Sequence, residues 1–174
     1  MEEEAQAWLD ARGWWQSAKG DRLRAYVALL LEEADRQNLI SAGSRAEIWS
    51  RHIVDSAQLL ELAPQDSVDG LWIDLGTGAG LPGIVIAALR DAPMMMIEAR
   101  PLRTAFLDRC VEALAIPHAR VVCDKVERVK IDRPAAIISA RAYAPMDRLL
   151  ASAAHLADLS TTWLLPKGRN ADNE

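Results

Sequence analysis

The 174-residue sequence is poor in cysteine, histidine and aromatic residues, and it contains no long apolar run. Its two cysteines, Cys110 and Cys123, form no CxxC pair, which excludes a disulfide framework and argues against a metal site. No uninterrupted apolar run of about 18 residues is present, so no membrane span is expected. The acidic residues 2–4 are the opposite of a basic signal-peptide start. We therefore expect a soluble, cytoplasmic protein that uses neither a membrane nor a metal.

Basic residues are also scarce over much of the chain. The net charge is −5, and it divides into −8 over residues 1–99 and +3 over residues 100–174. A free-standing RNA-binding protein usually has a broad basic surface, and this composition does not predict one. Any contact with nucleic acid is then expected to be local, to come from the C-terminal half, or to be helped by a partner.

The apolar spacing changes along the chain. It predicts helices over residues 21–37, with Asp21 as N-cap, and over residues 44–62. From residue 71 onwards, short apolar runs alternate with helical segments; the predicted strands are 71–75, 93–98, 119–123, 135–139 and 161–165, and the helices are 81–89, 101–114 and 145–156. This alternation predicts an α/β fold with a mostly parallel sheet covered by helices on both faces. We expect an N-terminal helical extension over residues 1–66, packed on a core over residues 67–174.

A glycine-rich loop separates the first predicted strand from the next helix. Asp74, Gly76, Gly78 and Gly80 fit the acidic-x-Gly-x-Gly-x-Gly pattern of S-adenosylmethionine-dependent methyltransferases. The overlapping residues 78–83 also fit the GxGxxG pattern of dinucleotide-binding proteins. The register favours the methyltransferase, because its turn begins where the strand ends and because it uses Asp74, which can fix the loop or face the methionine part of the cofactor.

Glu98 ends the second predicted strand, 18 residues after Gly80. A carboxylate at this place can accept hydrogen bonds from both ribose hydroxyls of a nucleoside. Both competing cofactors contain that ribose, so Glu98 supports a nucleoside ligand without choosing between them. Residues 123–127 follow the third strand, where an adenine would lie, although they can equally be an ordinary polar loop.

Other polar side chains have two interpretations each. His52, Asp55 and Ser56 share one helix face and either enter the cleft or form a local polar surface. Arg141, after the fourth strand, can hold a phosphate, stack on a base or form a salt bridge. Tyr143 either stacks on a base or packs in the core, and Lys167 either contacts RNA phosphate or faces solvent.

The sequence resembles the bacterial 16S ribosomal RNA guanine-N7 methyltransferases, once called the glucose-inhibited division protein B family. The resemblance extends over nearly the whole chain. Its most specific segments are residues 51–56 (Arg-His-Ile-Val-Asp-Ser) and the loop that ends in Leu-Pro-Gly at residues 81–83. Further matching segments are residues 38–41, 138–142 and 166–168.

The resemblance implies a class I methyltransferase fold and methyl transfer from S-adenosylmethionine to N7 of a guanosine in the 530 loop of 16S rRNA. The product S-adenosylhomocysteine would be released. The substrate would be either bare 16S rRNA or the RNA within a small-subunit particle. By similarity, Gly76 and Leu81 would line the cofactor site, Val126 and Glu127 would touch the adenine, and Arg141 would lie beside cofactor and substrate. Methyltransferase sheets usually add a last antiparallel hairpin, and we expect it to be missing here or the sequence to be cut short.

The chemistry of guanine N7 agrees with these residues. N7 carries a lone pair and no proton, so its methylation needs no general base, and Arg141 is expected to position the reactants. Residues 139–143 also lack the Asn/Asp-Pro-Pro-aromatic motif of many exocyclic-amine methyltransferases. Three alternatives stay open: a methyltransferase for a small molecule, a nicotinamide-dependent oxidoreductase, and a non-catalytic ribosome-assembly module.

Overall fold

The computed structural model describes residues 2–67, 69–141 and 143–166, and five strands in it form one parallel sheet. The strand order is β3-β2-β1-β4-β5. The strands are β1 (Trp72–Leu75), β2 (Met94–Ile97), β3 (Ala119–Val122), β4 (Ile137–Ala140) and β5 (Thr162–Leu164). Leu75 pairs with both Ile97 and Ala140, so β1, β2 and β4 end together. The segments that follow these three strands therefore meet at one edge of the sheet, where open α/β folds bind their ligands.

Helices precede and connect the strands. They are α1 (Glu2–Asp10), α2 (Ala18–Ala34), α3 (Ala42–Arg45), α4 (Asp55–Ala57), α5 (Leu59–Leu62), α6 (Gly83–Leu89), α7 (Pro101–Ala113) and α8 (Met146–Ala153). A π-helix, Trp49–Val54, leads into α4, and short 3₁₀ turns occupy Gln65–Ser67, Val126–Arg128 and Ala154–Leu156. None of the helices in the described part of the chain combines the length and apolar composition needed to cross a bilayer.

Successive residues of the central strands face two separate cores. Trp72 and Met94 belong to one core together with residues of α2, α6 and α7. Ile73 and Met95 belong to the other, together with residues of α8. Helices thus cover both faces of the sheet, which confirms the predicted α/β fold. β1, β2 and β4 are buried along their whole length, as their continuous apolar sequences predict.

The N-terminal helices share the first of these cores. Leu23, Tyr26 and Leu30 of α2 are fully buried in the same cluster as Ile84 of α6. The division into an extension over residues 1–66 and a core over residues 67–174 stays a prediction.

Two helix starts differ from their predictions. α2 begins at Ala18, because the Ser17 side chain accepts the Lys19 N–H at 3.2 Å and caps the helix; Asp21 therefore lies inside the first turn. α6 begins at Gly83, so Pro82 is its N-cap residue instead of a first-turn residue.

The single helix predicted over residues 44–62 is wrong in detail, since this segment divides into shorter helices around the π-helix. A π-turn holds one residue more than an α-helical turn. Ile48 and Ile53, five positions apart, are consequently both buried, with Ala57 following four positions later. Apolar periodicity alone does not distinguish this arrangement from a regular helix.

Candidate functional site

The glycine loop leaves β1 in a backbone conformation that favours glycine. Gly76 and Gly78 have φ values of 62° and 60°. A Cβ at Gly76 would also lie 2.5 Å from Cδ2 of Tyr143, whereas the nearest atom to a Cβ at Gly78 would be Nη1 of Arg103 at 3.6 Å. The Tyr143 ring thus packs directly on Gly76, and the Arg103 side chain lies at ordinary contact distance from Gly78.

Asp74, in β1, holds this loop by hydrogen bonds. Its side chain is fully buried, its Oδ2 accepts the Gly83 N–H at 3.0 Å, and its Oδ1 accepts the Ser139 hydroxyl at 2.8 Å. Ser139 Oγ in turn accepts the Trp72 Nε1–H at 2.9 Å. Burial raises the pKa of Asp74 to about 6, although these hydrogen bonds oppose the shift. Of the two roles predicted for Asp74, the structure places the carboxylate where it fixes the loop.

Glu98 holds the loop from the neighbouring strand. It is 6% exposed; its Oε2 accepts the Gly78 N–H at 3.1 Å and its Oε1 accepts the Arg100 N–H at 3.0 Å. Arg103 Nη1 lies 3.8 Å from Oε2. A carboxylate can accept about four hydrogen bonds, so these two backbone contacts leave capacity for two further donors.

The structure brings several predicted cofactor residues to one pocket of about 410 Å³. Glu98 lies in it beside the loop, and Val126 and Glu127 lie across from β2, after β3. Residues that line it are Gly76, Ile97, Glu98, Ala99, Arg100, Arg103, Asp124, Lys125, Val126, Glu127 and Tyr143. Two of the predicted residues face the core instead: a Cβ at Gly80 would meet Ile84 and Leu107, and Leu81 is 4% exposed.

The pocket fits the nucleoside part of S-adenosylmethionine. It offers an anionic acceptor for hydroxyl groups in Glu98 and apolar surface for a flat ring in Ile97 and Val126. At Gly76 the loop itself presents only backbone atoms to this pocket.

A second, larger cavity of about 970 Å³ lies between the α4–α5 segment and the ends of β4 and β5. The structure brings together in it three of the predicted substrate residues, Asp55, Ser56 and Tyr143, and also Arg141, which was predicted to position the reactants. Tyr143 lines both cavities and forms the wall between them. Lys167 lies outside the described residues.

His52 contacts Arg141 at the edge of this cavity. Nη1 of Arg141 lies 3.5 Å from Nδ1 of His52. Burial, together with the nearby charges of Arg141 and Arg51, lowers the pKa of His52 to about 4. His52 is therefore neutral at physiological pH, and its Nδ1 can accept the hydrogen bond that holds the Arg141 guanidinium.

Two other polar atoms beside the cavity lack partners among the described residues. Nε2 of His52 and Oγ of Ser56 are both buried without a hydrogen bond there. Both atoms are shielded from solvent, so each is an unpaired polar group within the protein.

Sequence reasoning missed three contributors to the site. Arg100 and Arg103 line the smaller pocket, and their place directly after β2 was a usable signal, because the ends of neighbouring strands meet at one edge. Tyr26 of α2 donates its hydroxyl to the Ala79 carbonyl of the glycine loop at 2.8 Å. Nothing in the sequence indicates this contact, which joins residues 53 positions apart.

One protein family matches the chain over most of its length. The sequence model of the GidB family, described as rRNA small subunit methyltransferase G, matches residues 19–174. The ribosomal RNA small subunit methyltransferase G of Novosphingobium aromaticivorans is 48% identical over 174 residues, which cover 99% of this chain and 75% of that protein. The protein of the same name from Sphingopyxis alaskensis is 48% identical over 170 residues, covering 94% and 72%.

Solved structures share the fold at much lower identity. A SAM-dependent methyltransferase from Thiobacillus denitrificans, solved in complex with S-adenosyl-L-homocysteine, superposes with a TM-score of 0.52 and 15% identity. The superposition covers 72% of this chain and 55% of that chain. This likeness concerns the arrangement of strands and helices.

Proposed function

The chain belongs to the GidB family, the rRNA small subunit methyltransferases G, and on this premise we propose that it methylates N7 of a guanosine in the 530 loop of 16S rRNA. It is an S-adenosylmethionine-dependent methyltransferase. The observation that carries the proposal is the family match over residues 19–174, which includes the loop and both cavities.

The smaller pocket would hold the cofactor. Glu98 has acceptor capacity for the ribose hydroxyls, Val126 and Glu127 would contact the adenine, and the backbone from Gly76 to Gly78 would lie along the ligand. When bound, S-adenosylmethionine supplies a methyl group on a positively charged sulfur, and S-adenosylhomocysteine is left after transfer. Dinucleotide binding, which the residue 78–83 pattern left open, is not supported by the family.

The remaining task for the protein is to position the base. Because N7 has a lone pair in the ring plane and no proton, none of the side chains needs to act as a general base. Catalysis then depends on holding N7 in line with the methyl carbon and on excluding water. We infer that Arg141, which contacts neutral His52, and Tyr143, which packs on Gly76, would do this.

We further propose that the RNA is met within a small-subunit particle. The first 99 residues carry a net charge of −8, which repels RNA phosphates instead of attracting them. Ribosomal proteins on the particle can supply the attraction that this half of the chain lacks. A small-subunit particle should therefore be methylated faster than bare 16S rRNA.

Incubation with methyl-labelled S-adenosylmethionine and unmodified 16S rRNA, bare or in particles, tests this function. We expect label on one guanosine of the 530 loop, and chain cleavage at that nucleotide after borohydride and aniline treatment would locate it on N7. Label that enters small metabolites and never RNA would overturn the proposal.

A matched pair of variants connects the activity to the loop. Gly78→Val places a branched side chain on the loop at a φ of 60° and should abolish cofactor binding, measured by calorimetry, together with methyl transfer. Gly13→Val is the control, because Gly13 has a similar φ of 67°, has open space at its Cβ position and lines neither cavity. Retained cofactor affinity in Gly78→Val would contradict the assignment of the loop.

A further inference from the structure

The larger cavity has the position and size required for the target base. It adjoins the cofactor pocket, since Tyr143 lines both. Its volume of about 970 Å³ is at the upper end of the range of roughly 300–1,000 Å³ for small-molecule sites. Trp163 and Leu59 contribute apolar wall, which suits the flat faces of a purine. A base placed here would lie beside the cofactor pocket.

Asp55 supplies this cavity with an exposed carboxylate. Over the described ranges, its oxygens have neither a hydrogen-bond partner nor an ion-pair partner. Its neighbour Ser56 is 2% exposed, lines the same cavity and has an Oγ without a partner in those ranges. The Asp55 carboxylate can therefore accept hydrogen bonds from a ligand in the cavity without giving up a bond within the described residues.

Arg141 gives the same cavity a cation. Its guanidinium lies against Nδ1 of His52, and its charge acts on Asp55 as well. Burial raises the pKa of Asp55, while the charges of Arg141 and Arg51 lower it. The cavity therefore combines an anionic acceptor with a cationic donor, as recognition of a base with both donors and an acceptor requires.

We propose that Asp55 recognises the target guanine by accepting hydrogen bonds from N1–H and from the N2 amino group. This inference rests on the proposed function, in which the base is guanine. The two donors lie side by side on guanine and match the two oxygens of a carboxylate. Adenine has an acceptor at N1 and no amino group at C2, so the same carboxylate would repel it. N7 takes no part in these bonds and stays free to accept the methyl group.

The experiment compares guanosine with inosine at the target nucleotide of 16S rRNA assembled by ligation. Inosine keeps N7, O6 and N1–H but lacks the N2 amino group. Wild-type enzyme should lose about 5- to 100-fold in kcat/KM on inosine, the usual cost of a lost hydrogen bond in base recognition. Asp55→Asn should be slower on guanosine and should treat the two RNAs alike within about threefold. Asp66→Asn, an exposed carboxylate outside both cavities, is the control and should keep the wild-type ratio.

The outcomes separate this inference from the function on which it rests. No methyl transfer by wild-type enzyme to guanosine RNA would overturn the proposed function itself. Two results would overturn the role of Asp55 alone. One is that wild-type enzyme methylates guanosine and inosine RNA equally well; the other is that Asp55→Asn keeps the wild-type preference for guanosine. Calorimetry then measures the affinity of both proteins for S-adenosylmethionine. A loss of affinity of about tenfold or more in Asp55→Asn would mean that the carboxylate binds the cofactor, and would also overturn the inference.

Discussion

Asp74 illustrates how one buried side chain shapes the site. Its two oxygens join the first turn of α6, through the Gly83 N–H, to β4, through Ser139. Ser139 extends the same chain of hydrogen bonds back to Trp72 at the start of β1. The loop between β1 and α6 is thus held by the strands on which it stands.

Asp74→Asn should change the pH dependence of stability. The pKa of Asp74 is about 6 in the folded state against 3.8 as its ordinary value, so folding favours the protonated carboxyl. That contribution is complete below pH 3.8 and is lost as pH rises through about 6, a change of about 3 kcal/mol. The Asn variant lacks this loss, so its destabilisation relative to wild type should be larger near pH 4.5 than near about pH 7.5.

Urea denaturation of both proteins at the two pH values measures this difference. Asp66→Asn controls for the loss of one exposed carboxylate. A destabilisation by Asp74→Asn that is the same at both pH values would contradict the raised pKa.

The sequence predicted Asp74 as a site residue but left its role open. Its partners are a backbone N–H nine positions away and a serine 65 positions away, and neither distance has a local signature. The position of Glu98, in contrast, could be predicted, because a residue that ends the strand next to the glycine loop lies beside that loop in any fold of this kind. Whether either residue contacts the cofactor stays a prediction.

At the scale of elements, Glu33 connects α2 to α7. The carboxylate is buried, accepts the Gln37 Nε2–H at 2.7 Å and pairs with Arg109 of α7. Gln37 also donates to the Leu102 carbonyl at 3.2 Å, so the end of α2 is bonded to the start of α7. The hydrogen bond from Gln37 is the main cause of the lowered pKa of Glu33.

Glu33→Ala should therefore weaken the packing of these helices. We expect the free energy of unfolding to fall by about 1 to 2 kcal/mol, because a buried acceptor of two side-chain donors is lost. Glu32→Ala is the matched control, since Glu32 is 63% exposed and pairs only with the equally exposed Arg36 among the described residues. Its effect should stay within about 0.5 kcal/mol. Equal losses in urea denaturation would contradict this difference.

Elements were predicted well where burial is continuous and less well where backbone geometry is unusual. All five strands were found within two residues at each end, because their apolar runs are bounded by polar loops. The π-helix was missed, since its wider turn leaves Ile48 and Ile53 buried in a sequence that also fits an ordinary helix. His52 lies within this wider turn, so the direction of its side chain could not be predicted from the sequence.

At the scale of the whole molecule, Tyr26 links the N-terminal helices to the glycine loop. Its side chain is fully buried and its hydroxyl donates to the Ala79 carbonyl. Burial raises the pKa of Tyr26 well above its ordinary value, so the hydroxyl remains a donor. The N-terminal helices thus support the loop as well as covering the sheet.

Tyr26→Phe should lower both stability and cofactor affinity. Loss of the donor leaves the Ala79 carbonyl unpaired, which should cost about 1 to 3 kcal/mol in the free energy of unfolding. A less constrained loop should also weaken S-adenosylmethionine binding by about 3- to 10-fold in calorimetry. Tyr143→Phe is the stability control, because its hydroxyl makes a longer bond of 3.4 Å to Ser152 and the residue is only half-buried. Unchanged cofactor affinity in Tyr26→Phe would show that α2 does not support the loop.

The bonds that Glu98 and Asp74 make to the loop have a kinetic consequence. Gly78 and Gly83 are tethered to neighbouring strands before any ligand arrives, so the conformational entropy of the turn has already been lost during folding. If this loop binds the nucleoside as proposed, we expect binding to require no further ordering of the turn. The association rate is then governed by diffusion and orientation. Differences in affinity among variants of this loop should consequently arise in residence time, measured as the rate at which the nucleoside departs.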